Sequence, residues 1–146
     1  MIQASQQQEE RWRQNAAAVI LSKDGKVLLG RSTRTGFWNF PQGGAKKTET
    51  MEHALAREVW EEVGISPQQY KVVKSISGLR YYYPPGNRQR SRWVGQEQTY
   101  FLLQCKTNSP TTSVDRSPEF AEIHGSILNI FNLLSFQNLK ERLLRR

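Results

Sequence analysis

Residues 43–65 read GGAKKTETMEHALAREVWEEVGI, and the middle of this stretch decides the fold. Glu58, Glu61 and Glu62 occupy positions i, i+3 and i+4. An α-helix turns by about 100° per residue, so this spacing predicts that the three carboxylates lie on one face. Like charges on adjacent turns repel each other. The cluster therefore indicates either a bound cation or a solvated acidic surface.

The remaining residues of the stretch predict how this helix sits in the fold. Its apolar residues fall on roughly the opposite side from the glutamates and are expected to pack into a core: Ala56, Val59, Trp60 and Val63. We expect the helix to begin near Thr50 and to end at Val63, because Gly64 is typical of the residue that follows a helix. Arg57 precedes Glu61 by four residues and is expected to pair with it.

The chemistry of the cluster favours a hard cation. A group of carboxylates alone suits Mg²⁺ or Mn²⁺ rather than zinc. The pair Gly43 and Gly44 lets the backbone approach a metal or a phosphate closely, and the Gly43 carbonyl is a candidate further ligand. The pattern predicts a metal site for phosphate transfer, with a solvated acidic helix face as the alternative.

The composition of the whole chain bounds the class of protein. Its 146 residues suffice for one domain, for which we expect residues 12–146, preceded by a flexible arm at residues 1–11. The 21 basic and 13 acidic residues give a net charge of +8, which predicts attraction to RNA or polyphosphates, although many small proteins are simply basic. The single cysteine, Cys105, cannot form an internal disulfide, and no apolar run approaches the roughly 20 residues that cross a bilayer. We therefore expect a cytoplasmic protein without membrane association.

The segments around the helix predict an α/β domain with a mixed sheet. Strands are expected in AAAVILS (16–22), KVLLGR (26–31), WNFPQGG (38–44), YKVVKSI (70–76) and both ends of the segment 78–106. The turn Asp24-Gly25 predicts that the first two strands pair antiparallel. Apolar residues at helical spacing within 127–146 predict a closing helix with a basic end.

Segment 84–92, PPGNRQRSR, carries alternating arginines at Arg88, Arg90 and Arg92. In an extended segment this spacing would aim the three guanidinium groups to one side, where they could hold phosphate. A solvated loop tip is the alternative. Tyr81 and its two following tyrosines are candidates for stacking on bases.

Taken together, these positions resemble the signature of the Nudix hydrolases. Gly43 is followed after five residues by Glu49, and after seven more by REVWEEVGI at 57–65, which matches the signature at each fixed position. The resemblance implies a mixed β-sheet sandwiched between helices and a Mg²⁺-dependent cleavage of a nucleoside diphosphate linked to another group. Thr48 departs from the pattern, because relatives usually carry Gly there.

Over about residues 12–145 the chain is also similar to one branch of that family, the RNA 5′-pyrophosphohydrolases and dinucleoside polyphosphate hydrolases. The segments that carry this similarity include WR (12–13), WNFPQGG (38–44), LRY (79–81), VGQ (94–96), SPEF (117–120) and SF (135–136). The substrate implied is an RNA 5′ end or a dinucleoside polyphosphate.

The resemblance implies a role for each matching position. Two or three Mg²⁺ or Mn²⁺ ions would be held by Gly43, Glu58, Glu61, Glu62 and Glu119. The substrate would be contacted by Arg13, Arg31, Gln42, Tyr81 and Phe136, with Arg88 and Arg90 added from the arginine segment. Several departures weaken the substrate assignment: Ser32 in place of a second basic residue after Arg31, Gln14 in place of proline, AEIHGSI (121–127) in place of a Trp-rich element, and Gln137 in place of a basic residue.

For the chemistry, we expect Glu58 to be the general base that takes a proton from the attacking water, while Glu61 and Glu62 mainly hold metal. Glu119 is the alternative base. Arg57 would orient Glu61 rather than touch the substrate.

Three functions follow from this hypothesis. The first is removal of pyrophosphate from the 5′-triphosphate end of RNA, which would initiate RNA decay. The second is hydrolysis of a small molecule such as diadenosine tetraphosphate. The third, a non-catalytic nucleotide- or RNA-binding domain, is disfavoured by the intact glutamates. Whether the chain is a monomer or a homodimer is left open.

Overall fold

The computed structural model describes residues 9–33, 36, 38–88, 92–108, 110, 112 and 120–126. Its strands are β1 (Trp12–Leu21), β2 (Val27–Ser32), β3 (Trp38–Asn39), β4 (Gln42–Gly44), β5 (Tyr70–Tyr82), β6 (Gly95–Cys105) and β7 (Phe120–Ser126). Its helices are α1 (Met51–Val63), between β4 and β5, and the short α2 (Pro85–Arg88), between β5 and β6. A 3-10 turn at Pro67–Gln69 leads into β5. None of the helices in these ranges combines the length and the apolar character needed to cross a bilayer.

The described strands form one mixed sheet. Its order is β3-β2-β1-β6-β5, while β4 pairs with β1 and β7 pairs with β2. Strands β1 and β6 run parallel over their whole length, from Trp12 opposite Gly95 to Leu21 opposite Gln104. The other pairs are antiparallel, including the predicted pairing of β1 with β2. The predicted α/β class with a mixed sheet is confirmed.

The main core lies between α1 and one face of the sheet. Alternate residues of β1, namely Ala16, Ala18 and Ile20, face α1 because side chains in a strand alternate between its two faces. Helix α1 contributes Leu55 and Val59 to the same core. The small alanines let the helix lie close to β1, and the glutamates Glu58 and Glu62 of α1 lie beside β4.

Helix α1 has the predicted bounds and a stop signal at each end. The Thr50 side chain caps the first turn by accepting a hydrogen bond from the His53 N–H at 3.2 Å. Gly64 adopts the left-handed conformation (φ 71°) and donates to the Trp60 carbonyl, which ends the helix. The prediction that Trp60 packs into the core is wrong, since Trp60 is 39% exposed. The buried stripe is centred on Leu55, Val59 and Glu62, and on a helix of 3.6 residues per turn Trp60 lies far from that centre.

Several strands differ from their sequence expectations. Strand β1 begins at Trp12, well before the apolar run, because β6 pairs with it along its whole length. The segments expected as two strands form one long β5, which is irregular between Ile76 and Leu79, where Gly78 has a φ of 77°. Strand β7 was not expected and covers most of the departure AEIHGSI.

The expectation of an extended arginine segment is wrong at its first member. Residues Pro85–Arg88 form α2, so Arg88 does not begin an extended run toward Arg90 and Arg92. Arg90 and the predicted closing helix lie outside the described residues, as do residues 1–8 of the predicted arm.

Candidate active site

Strand β4 brings two glycines into close contact with charged side chains. Gly44 pairs with Asn15 and Gly43 with Ala16 of β1, so the two glycines face opposite sides of the sheet. A Cβ atom on Gly43 would overlap the Glu58 carboxylate, and one on Gly44 would lie 2.5 Å from Nη2 of Arg13. Only glycine permits a carboxylate and a guanidinium to approach the backbone this closely from the two sides.

Arg57 joins the loop before α1 to the helix. Its Nε and Nη2 donate to the two carboxylate oxygens of Glu49, both at 2.8 Å, and Nη2 also donates to the Gly44 carbonyl at 3.0 Å. Its Nη1 donates to Glu58 Oε1 at 2.6 Å and to Glu61 Oε2 at 3.2 Å. The predicted pair with Glu61 is confirmed, but the bidentate partner is Glu49. These hydrogen bonds from Arg57 hold the pKa of Glu49 at about 2.

The three glutamates of α1 have different environments. Glu62 is only 2% exposed, and its Oε2 accepts a hydrogen bond from the Gln42 N–H at 3.0 Å. Burial raises the pKa of Glu58, against the lowering effect of Arg57, and Glu58 also forms a hydrogen bond with Glu62. The Glu61 side chain is 53% exposed and turned toward Arg57. Within the described ranges, no three carboxylates are arranged around a common point.

On the face of the sheet away from α1, amide side chains form a polar cluster. Gln96 Oε1 accepts hydrogen bonds from Asn15 Nδ2 at 3.3 Å and from the Tyr81 hydroxyl at 2.5 Å. Gln98 Nε2 donates to Gln42 Oε1 at 3.2 Å. Gln98 Nε2 also donates to Gln96 Oε1 at 3.4 Å, and the Gln42 backbone N–H donates to Glu62, so hydrogen bonds connect Tyr81 to the glutamates of α1.

The other predicted substrate residues are placed as follows. The guanidinium of Arg13 lies against Gly44, on the face that carries Tyr81. Arg31 lies in β2, opposite Trp38 of β3 and Glu122 of β7. The structure places Arg88 in α2 without describing its side chain. Glu119, Arg90 and Phe136 lie outside the described residues.

The family of the chain follows from a comparison with known domains. Residues 11–143 match the model of the NUDIX domain. The chain belongs to the Nudix family.

Two curated relatives of this chain carry the same name. An RNA pyrophosphohydrolase from Marinomonas sp. (strain MWYL1) is 36% identical over 115 residues, which cover 75% of this chain and 71% of that protein. An RNA pyrophosphohydrolase from Shewanella frigidimarina (strain NCIMB 400) is 39% identical over 115 residues, which cover 75% of this chain and 67% of that protein.

A solved structure shows the same fold. The C. elegans Ap4A hydrolase binary complex matches with a TM-score of 0.63 and 18% identity, over 90% of this chain and 93% of that chain. This comparison supports the α/β Nudix fold of the present chain.

Nudix hydrolases generally need a divalent metal such as Mg²⁺, and the residues present here fit one. Glu58 and Glu62 are two carboxylates in contact, one buried and one with a raised pKa. When both groups are ionised their negative charges repel each other, and a bound cation would offset that repulsion. Gly43 leaves the backbone beside them uncovered by a Cβ atom. The donors are all oxygen, as Mg²⁺ prefers.

The sequence did not identify every polar residue of the site. The signature spacing marks Glu49 but does not predict its bidentate contact with Arg57, because the loop must fold back for the two side chains to meet. Asn15, Gln96 and Gln98 were not grouped, because β1 and β6 are far apart in sequence. The alternation of Gln96 and Gln98 on one strand face was the available signal.

Proposed function

We propose that this Nudix protein removes pyrophosphate from the 5′-triphosphate end of RNA. The observation that carries the hydrolytic part is the contact between Glu58 and Glu62 beside the backbone of Gly43. The RNA part is supported by the name shared by curated relatives at 36% and 39% identity and by the net charge of +8. We place the reaction in the cytoplasm, where a buried free thiol such as Cys105 stays reduced.

In this proposal the glutamates of α1 hold the metal. A hydrogen bond from the Gln42 N–H positions Glu62. Hydrogen bonds from Arg57 position Glu58 and Glu61. The Gly43 carbonyl is the proposed backbone ligand. Two or three Mg²⁺ or Mn²⁺ ions, when bound, supply the positive charge that offsets the repulsion between a polyphosphate and an incoming nucleophile. Glu119 is proposed as a further ligand from outside the described residues.

Glu58 is the proposed general base. Its pKa is raised by burial, which brings it toward the pH at which a base works best. Arg57 fixes Glu58 Oε1 by a 2.6 Å hydrogen bond and so restricts rotation of the carboxylate. Glu58 would take a proton from the water that attacks phosphorus. The phosphoanhydride bond then breaks, and pyrophosphate leaves an RNA with a 5′-monophosphate.

The nucleotide would lie on the face that carries the amide cluster. Arg13 lies against Gly44 there, at the start of the loop to α1, so its guanidinium is placed to meet phosphates or a base. Tyr81 offers its ring nearby, with its hydroxyl held by Gln96. Arg31, Gln42 and Phe136 are proposed as further contacts.

The test compares two substrates in the presence of Mg²⁺. We expect kcat/KM for a 5′-triphosphorylated oligoribonucleotide to exceed that for diadenosine tetraphosphate at least tenfold, with pyrophosphate as a product. Equal or reversed values would contradict the RNA assignment. Failure to hydrolyse either substrate with Mg²⁺ or Mn²⁺ would contradict the hydrolase assignment.

A further inference from the structure

Three side chains at the start of β1 and the end of β5 form what we term the aromatic platform: Trp12, Arg80 and Tyr82. The ring centroids of Trp12 and Tyr82 lie 4.8 Å apart at an interplanar angle of 58°. The guanidinium carbon of Arg80 lies 4.9 Å from the centroid of the Trp12 ring. Tyr82 is 51% exposed, and the Arg80 side chain is 54% exposed. The platform is therefore a partly exposed cluster of two tilted aromatic rings and a guanidinium group.

A glycine in the strand between them makes this contact possible. Gly95 of β6 is paired with Trp12 on one side and with Tyr82 on the other. A Cβ atom on Gly95 would lie 2.8 Å from the Trp12 ring and would overlap the Tyr81 carbonyl. Without a side chain at position 95, the Trp12 ring reaches across β6 to Tyr82.

The platform lies on the same face of the sheet as Glu58. Ala16 and Trp12 are four residues apart on β1, and residues an even number apart in a strand share a face. Ala16 is paired with Gly43, whose Cβ position is filled by the Glu58 carboxylate. At 3.3 Å per residue, Trp12 lies about 13 Å along β1 from this point. Trp12 also adjoins Arg13 in β1, the residue proposed to meet the first nucleotide on the opposite face, so an RNA chain that continues past Arg13 around the start of β1 needs only a few nucleotides to reach the platform.

Exposed cationic side chains beside the path from Glu58 to the aromatic platform favour the binding of a polyanion. Lys46 and Lys47 are exposed in the loop after β4, which is held beside β1 by a hydrogen bond from the Ala45 N–H to the Gln14 carbonyl at 2.9 Å. Arg11 is exposed immediately before the platform.

The platform itself is close to neutral. Glu97 pairs with Arg80 at 2.5 Å, and Glu10 accepts a hydrogen bond from the Tyr82 hydroxyl at 3.1 Å. This combination of ring faces with flanking cations suits the bases and the backbone of a single strand, respectively.

We propose that the aromatic platform binds unpaired nucleotides of the RNA downstream of its 5′ end, by stacking bases on Trp12 and Tyr82. This inference rests on the proposed function for the identity of the substrate. It assigns to this surface the choice between an RNA chain and a small nucleotide, because only a chain can occupy Glu58 and the platform together.

The test measures binding without hydrolysis. An oligouridylate with a 5′-hydroxyl and a fluorescent 3′ label is titrated with protein, and the Kd is read from anisotropy. We expect Tyr82→Ser to raise Kd about 5- to 150-fold, the range that loss of one base stack gives. The matched variant Tyr82→Phe keeps the ring and is expected to bind like the wild type. Trp12→Ala, with its fold checked by circular dichroism, is expected to weaken binding as Tyr82→Ser does.

The outcomes separate this proposal from the proposed function. Wild-type affinity in Tyr82→Ser, or an equal loss in Tyr82→Phe, would overturn the platform, as would a wild-type protein that does not bind the oligomer. Binding that depends on the Tyr82 ring, in a protein that does not hydrolyse triphosphorylated RNA, would support the platform and overturn the proposed function.

Discussion

Arg57 organises the polar contacts at the scale of single residues. Its Nε and Nη2 donate hydrogen bonds to the Glu49 carboxylate. Nη2 also donates to the Gly44 carbonyl, and Nη1 donates to Glu58. A lysine has no planar fork and could not bind Glu49 in this bidentate way. The loop before α1 and the glutamates on α1 are therefore held in register by one side chain.

The ion pair between Arg57 and Glu49 should make part of the free energy of unfolding depend on pH. The pKa of Glu49 is lowered from 4.5 to about 2, so its stabilising contribution is complete above pH 4.5 and is lost as the pH falls through about 2. We expect Glu49→Gln to lower the free energy of unfolding at pH 7, and the difference from the wild type to shrink as the pH falls below 4.5. Urea unfolding of both proteins at several pH values measures this difference in the free energy of unfolding.

Glu52→Gln is the control for that experiment, because Glu52 is an exposed carboxylate on the same helix. A Glu49→Gln difference as large at pH 2.5 as at pH 7 would contradict the ion pair.

Loss of the proposed base should slow the chemical step. Glu58→Gln keeps the size of the side chain and removes its capacity to accept a proton. We expect kcat on triphosphorylated RNA to fall by about 10²- to 10⁴-fold, the usual contribution of a positioned base. Single-turnover kinetics at saturating Mg²⁺ measures this rate. A fall in kcat of less than threefold would indicate that another carboxylate is the general base, with Glu119 as the first candidate.

At the scale of elements, the site depends on how closely β4 and α1 approach each other. In Gly43→Ala the new Cβ atom would overlap the Glu58 carboxylate and displace it. We expect kcat/KM on triphosphorylated RNA to fall about 10²-fold or more, the cost of misplacing a reacting group by about 1 Å. Gly86→Ala in α2 is the control, since a Cβ there meets no atom within 4 Å. Equal activity of the two variants would show that the close approach is not needed.

Elements with local signals were predicted well, and those that depend on distant partners were not. Helix α1 was placed correctly because Thr50 and Gly64 mark its ends within the sequence itself. The early start of β1 and the presence of β7 could not be predicted, since pairing with β6 and β2 stabilises them. The prediction that Trp60 packs into the core was wrong because the centre of the buried stripe on α1 depends on where the sheet lies.

At the scale of the whole molecule, the sheet separates two sets of polar residues. The aromatic platform lies on the face of the sheet toward α1, the helix that contains Glu58. Arg13 and the amide cluster lie on the opposite face. Gln42 belongs to both sets, since its side chain binds Gln98 and its N–H binds Glu62. The family and the helix that carries the glutamates were predictable from the sequence, whereas this division between faces required the strand register.

The central claim is that the glutamates of α1 hold a divalent ion, and direct measurement of metal binding tests it. Electron paramagnetic resonance counts free Mn²⁺ during titration of the protein, independently of turnover. We predict that Glu62→Gln weakens Mn²⁺ binding at least 10- to 100-fold, since loss of even an outer partner of a metal site costs that much, while Glu52→Gln binds like the wild type. Mn²⁺ binding that is unchanged in Glu62→Gln would contradict the claim.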